Sequence, residues 1–238
     1  MGKIVGVIPA RGGSKGLPGK NTKLIRGKPM IAYVIEAAHA AKRLDRVIVS
    51  TDADYIADVA KEYGAEVIRR PDAISDDAAP IEESLRHIVR TLKENENIET
   101  DVTVLMQANV PIRPDGMIDD VIEKLLGSEY DSVVTVFNVN QRPQWMKRVV
   151  DGKIIPYMEC KEFRRQNLEP LYLLDGAVMA VRVPVLFATE GTNGVHVYLG
   201  DNVGIYEQDR LYSTDVDSLE DFRLAEIAME YLEKESSQ

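Results

Sequence analysis

KIVGVIPARGGSKGLPGKN, residues 3–21, joins a short β-branched apolar run to a loop dense in glycine and positive charge. KIVGVI reads as a buried strand. Behind it stand Gly12, Gly13, Gly16 and Gly19, two prolines, and the cations Arg11, Lys15 and Lys20. A loop leaving a parallel strand lies at the carboxyl edge of the sheet, where open α/β folds bind ligands. Glycines let main-chain N–H groups turn toward an anion, and Arg11, Lys15 and Lys20 can neutralise phosphate charge. The alternative is an exposed basic loop whose glycines serve only its turns. So much of this composition directly behind the first strand favours phosphate. Neither common phosphate loop fits, because Gly19-Lys20 is followed by Asn21 and no G-x-G-x-x-G is present.

Working outward, strand-like and helix-like stretches alternate. PMIAYVIEAAHAAKRL predicts a helix with Pro29 at its start, and RVIVST the next strand. DADYIADVAKEYG predicts a helix ended by Gly64, followed by a short strand at AEVIRR. APIEESLRHIVRTLKENE, DVTVLMQA, PDGMIDDVIEKLLGSE and DSVVTVFNV continue as helix, strand, helix and strand. Continuously apolar strands separated by helices indicate a mainly parallel sheet covered on both faces, a three-layer α/β/α, Rossmann-like arrangement. From about residue 138 to 170 the chain is irregular, polar and turn-rich, and reads as an arm or lid inserted in one domain spanning 1–238. GAVMAVR, VHVYLG and VGIYEQ read as later strands and SLEDFRLAEIAMEYLEKE as a closing amphipathic helix.

Composition narrows the function. A net charge of −10 argues against a general nucleic-acid binder. One cysteine, Cys160, allows no internal disulfide and suits a reducing, cytoplasmic setting. The start MGKIVGVIPA does not read as a secretory signal, and no apolar run approaches the ~20 residues of a membrane span. His39, His87 and His196 have no zinc-site spacing and read as structural.

IPARGGSKGLPGKN resembles the nucleotide-binding signature of the acylneuraminate cytidylyltransferases, approximately A-R-x-G-S-K-G-L-x-x-K-N. The resemblance continues through RVIVSTDADYIADVAKEYGAEVIRRP, SDDAA, QANVPIR and STDVDSLEDFRLAE, in order and spacing, so it covers most of the chain. It implies a nucleotide-diphospho-sugar-transferase-like fold, and a reaction in which an acidic sugar's anomeric hydroxyl attacks the α-phosphate of CTP. Arg11, Gly12, Gly13, Ser14, Lys15 and Lys20 match the triphosphate-binding loop, Asn21 a nucleotide-holding position, and Arg70 one near base and phosphates. Without the resemblance, Arg70 reads equally well as a structural salt bridge. Gln107, Asn109, Arg165 and Gln166 match positions by the sugar.

Asp215 and Asp217 match the family's Mg²⁺-binding pair. Residues i and i+2 of an extended turn face one way, and Mg²⁺ commonly takes one or two carboxylates plus substrate phosphates. Capping of the following helix by Asp217 or Ser218 is the competing reading, and would leave the other aspartate without a role. With Arg11 and Lys15, this pair completes the implied catalytic set.

Three departures bear on the acceptor. The family's Q-P-T-S-P-L-R is here Gln107 to Arg113 with both hydroxyls gone, which predicts a changed sugar contact. Where relatives often show arginine, proline, asparagine and glycine, this chain has Leu173-Leu174-Asp175-Gly176, so a cation near the sugar is lost, a loss Arg164 could offset, and Asp175 adds an anion. Pro80 stands where relatives carry a serine near the nucleotide. The arm corresponds to the family's dimerisation arm, implying a homodimer through Trp145, Met146, Tyr157, Met158 and Phe163; a lid on its own domain is the alternative. The acceptor implied is N-acetylneuraminate, legionaminate or a related nonulosonate. The alternatives are a nucleotidylyltransferase for Kdo, a phosphonate or a sugar phosphate, and a silent nucleotide binder.

Overall fold

The computed structural model describes residues 2–14, 16–76 and 79–236. Strands β1 (Lys3–Pro9), β4 (Arg46–Thr51), β5 (Glu66–Arg69), β6 (Thr100–Leu105), β7 (Ser132–Asn138), β10 (Tyr172–Arg182) and β11 (Val203–Glu207) form one sheet. Small hairpins are made by β2 (Leu24–Ile25) with β3 (Lys28–Pro29), and by β8 (Lys147–Val150) with β9 (Lys153–Pro156). The sheet order is β11-β7-β10-β6-β1-β4-β5. All pairs are parallel except those of β10, which runs antiparallel between β6 and β7.

Alternation along β1 sends Ile4 and Ile8 to one face and Val5 and Val7 to the other. The first face meets α1 (Met30–Ala40), α2 (Asp54–Glu62) and α4 (Met117–Leu126). The second meets α3 (Ile81–Glu96), α5 (Val183–Ala188) and the turn carrying Tyr198 and Leu199. This is the three-layer arrangement, each helix burying its apolar stripe on the sheet. The last helix, α6 (Leu219–Ser236), packs elsewhere. Val216, Phe222 and Ala225 join Ile25, Met30 and Ile112 in a separate cluster, which draws the chain's last loop against its first.

Several sequence expectations need correction. The helix expected over residues 29–44 ends at Ala40, because the Asp119 carboxylate takes the N–H groups of Lys42 and Arg43 at 3.0 and 2.8 Å. VHVYLG is not a strand. His196 and Gly200 both take positive φ, and the 3₁₀ turn between them plugs Tyr198 into the core. GAVMAVR lies in a strand that starts earlier, at Tyr172. The arm contains a regular hairpin, turned at Asp151-Gly152 with both φ angles positive, as a two-residue type I′ turn requires.

Asp175 does not face a ligand. It is 6% exposed and accepts from Thr135 Oγ1, the Ala177 N–H and Gln208 Nε2. Its charge opposes what burial does to the Arg113 guanidinium, which desolvation lowers to about 9. Removing a buried charged partner leaves its donors unpaired. Asp175→Ala is therefore expected to lower unfolding free energy by about 3 kcal/mol in a urea titration.

Candidate active site

β1 is flanked by β6 on one side and β4 on the other, so the loops after β1 and β6 diverge and leave a crevice at the carboxyl edge. A cleft of about 490 Å³ occupies it. Of the residues the sequence singled out, Arg11, Ser14, Lys20, Asn21, Arg70, Gln107, Asn109 and Asp217 line it. Asp215 is outside the lining and is tied to it through Asn109. Lys15 lies outside the described residues. Arg165 and Gln166 sit on the arm and do not line this cleft; Arg165 instead holds Asn140.

The first and last loops meet directly. Lys20 Nζ donates to Asp217 Oδ1 at 2.6 Å and to the Val216 carbonyl at 3.2 Å. Gly16 permits the approach, since a Cβ there would lie 2.5 Å from the Asp217 carbonyl oxygen. Asn21 is buried and donates to the Arg11 carbonyl at 3.2 Å, so its amide fixes the loop from within.

Val216 decides how the acid pair points. Its side chain is fully buried, and its N–H donates to the Asn109 carbonyl at 2.8 Å. The flanking carboxylates therefore share the opposite side. Asn109 Nδ2 donates to Asp215 Oδ1 at 2.5 Å and to Asp217 Oδ1 at 3.2 Å, joining the pair. Capping of α6 is done by others. Ser218 Oγ accepts the Asp221 N–H, and the Asp221 carboxylate accepts the Ser218 N–H, a reciprocal capping arrangement. Both carboxylates are thus left for the site. Burial, and then the charge of Asp217, push Asp215 up to about 6.

Two carboxylates crowded against one another and linked by a single amide suit a hard divalent cation, which would relieve their repulsion. Among the described residues no cluster of three or more histidine, cysteine or acidic side chains could hold an ion alone. An ion here would need oxygens from a bound substrate as well, in the manner of Mg²⁺ on phosphates.

The departures read differently in three dimensions. Val110, in place of a family hydroxyl, is fully buried in the core, and Asn109 uses its amide on the acid pair. Val110 therefore makes no part of the cleft wall, whereas Asn109 lines the cleft and also holds the acid pair. Pro80 lines the cleft as the residue before α3, and Ser84, one turn further on, brings a hydroxyl to the wall. Ser84 was missed because a serine inside a charged helix pattern carries no signal of its own. Arg70 is fixed by Ser50, Nη2 to the carbonyl at 3.0 Å and Nε to Oγ at 3.2 Å. Burial, and then Arg11, lower its pKa, while Asp52 opposes them.

A family model described as cytidylyltransferase matches residues 5–169, and the chain belongs to that family. The chain is 30% identical over 224 residues to N-acylneuraminate cytidylyltransferase of Streptococcus agalactiae serotype V, a match covering 92% of this chain and 52% of that protein. It thus spans about half the length of that relative. Against CMP-N,N'-diacetyllegionaminic acid synthase of Legionella pneumophila it is 35% identical over 185 residues, covering 74% of this chain and 76% of the other. The fold matches a solved CMP:2-keto-3-deoxy-manno-octonic acid synthetase complexed with CTP at a TM-score of 0.72 and 20% identity, covering 96% and 99% of the two chains.

The Gly16 contact gives a direct check on this geometry. Gly16→Ala forces a methyl into backbone and is expected to destabilise the protein by about 1–3 kcal/mol. Gly13→Ala, where a Cβ meets nothing within 4 Å, is expected to change stability by under ~0.5 kcal/mol. Urea titration of both variants measures the contrast.

Proposed function

We propose that this cytidylyltransferase-family chain transfers CMP from CTP to a sialic-type nonulosonate, N-acetylneuraminate, legionaminate or a related sugar, releasing pyrophosphate. The observation that carries the reading is the meeting of Lys20 and Asp217 inside a cleft walled by the glycine loop. Cations for a triphosphate and carboxylates for its metal stand within one contact. A silent binder of nucleotide has no need of the acid pair. The names of the two relatives supply the base and the acceptor class.

In this reading the sugar hydroxyl gives up its proton to Asp215 or Asp217, and its oxygen bonds to the α-phosphorus as the bond to the bridging oxygen of pyrophosphate breaks. Negative charge grows on the leaving group, so positioning and fixed positive charge do most of the work. Arg11, Lys20 and, by resemblance, Lys15 face that charge. Lys20 must exchange Asp217 for phosphate oxygens as the nucleotide enters. Magnesium held by Asp215 and Asp217 would neutralise phosphoryl oxygens. Gln107 remains on the wall to meet the acceptor.

The arm suits a second copy of this chain. Val149, Ile154 and Phe163 are 72%, 71% and 79% exposed, while Trp145 Nε1 ties the arm's base to the Glu162 carbonyl at 2.9 Å. A homodimer closed through this face would cover them and bring Arg165 and Gln166 toward the partner's cleft. No helix among the described residues is long and apolar enough to cross a membrane.

Pyrophosphate release, measured with each of the four nucleoside triphosphates and a panel of acidic sugars, tests the proposal. CTP with a nine-carbon α-keto acid sugar is expected to react fastest, and to need Mg²⁺. Asp217→Asn is expected to fold normally and lose about a hundredfold in kcat. Fast release with Kdo, a phosphonate or a sugar phosphate alone contradicts the acceptor class, and no release with any pair contradicts the enzyme.

A further inference from the structure

The segment after β4 holds Gly12 of the glycine loop by both of its main-chain polar groups, and so grips the two peptides that meet there. β1 pairs with β4 so that Pro9 lies opposite Ser50, and the ladder closes with Ala10 N–H donating to the Ser50 carbonyl at 2.9 Å. Beyond that point side chains continue the tie. Asp52 Oδ1 accepts the Gly12 N–H at 2.8 Å, and the Tyr55 hydroxyl donates to the Gly12 carbonyl at 2.9 Å. A Cβ at Gly12 would lie 2.8 Å from Ala53 Cβ, so glycine lets the two segments close. Thr51 Oγ1 in turn accepts the Ala53 N–H at 3.2 Å and steadies the turn that carries Asp52.

Both polar groups of Gly12 are therefore engaged, and it is not an open phosphate donor as the loop's composition had suggested. A carboxylate within electrostatic reach of Arg70 works against an incoming anion by its charge. Its favourable contribution must then lie in its geometry as an acceptor. We propose that Asp52 and Tyr55 are positioning residues that clamp the two peptides flanking the Gly12 Cα and thereby hold Arg11 and Ser14 in place for the nucleotide's phosphates. The inference rests on the cleft being a CTP site.

Two readouts test it on the 238-residue chain: amide hydrogen exchange at Gly12 by NMR, and CTP kinetics. A hydrogen bond to a charged group at this site corresponds to roughly tenfold in an equilibrium. Asp52→Ala is expected to speed Gly12 exchange by about tenfold or more and raise KM for CTP about tenfold, with a smaller fall in kcat. Asp52→Asn keeps an acceptor oxygen without the charge, and is expected to recover most of both losses. Tyr55→Phe, which keeps the ring, is expected to fall between wild type and Asp52→Ala, and decides the matter if Asp52→Ala does not fold.

The clamp is overturned if Asp52→Asn falls as far as Asp52→Ala, since charge and not acceptor geometry would then matter. It is equally overturned if Gly12 exchange is the same in all variants. A wild-type protein that neither binds nor turns over CTP removes the reading of the cleft, and the exchange data still decide the clamp.

Discussion

Lys20 and Asp217 are 197 positions apart in sequence, and their contact ties the first loop of the sheet to the last loop of the chain. The sheet alone does not provide this. It delivers the loops after β1 and β6 to one edge, but the acid pair arrives because α6 packs on the β2–β3 hairpin through Val216 and Phe222. Without that apolar anchor the carboxylates would have no fixed relation to the glycine loop. A cluster of buried apolar residues thus sets the geometry of a wholly polar site.

Lys20 serves Asp217, and Asn109 bridges the two aspartates. The same groups become available to a metal-bound triphosphate if each trades one partner for another, so opposite charges can be stored side by side without collapse of the cleft. Positive charge is thus gathered locally in a chain of net charge −10, beside internal counterions.

Much of this was legible in the sequence. The first nine alternating elements follow directly from apolar periodicity, and the pointing of Asp215 and Asp217 from their spacing about a buried valine. Strand direction was not legible, because β10 is buried and apolar from Ala177 to Val181 like the strands beside it, and nothing in its residues encodes antiparallel entry. The β8–β9 hairpin carried a readable Asp151-Gly152 signal that the polar surroundings obscured. The burial of Val110 and Asp175 and the bond from Asn109 to the acid pair were not legible, because their partners were unknown. Their roles depend on contacts made with residues tens of positions away, which single-sequence patterning does not carry.

The most direct measurement is a crystal structure with CTP and Mn²⁺, using the anomalous signal to place the metal. The account predicts one manganese ion on the Asp217 side of the cleft, sharing its coordination with phosphate oxygens, and Lys20 Nζ moved from Asp217 to the triphosphate. A nucleotide bound with the Lys20–Asp217 pair still intact, or a metal held away from both aspartates, would contradict it.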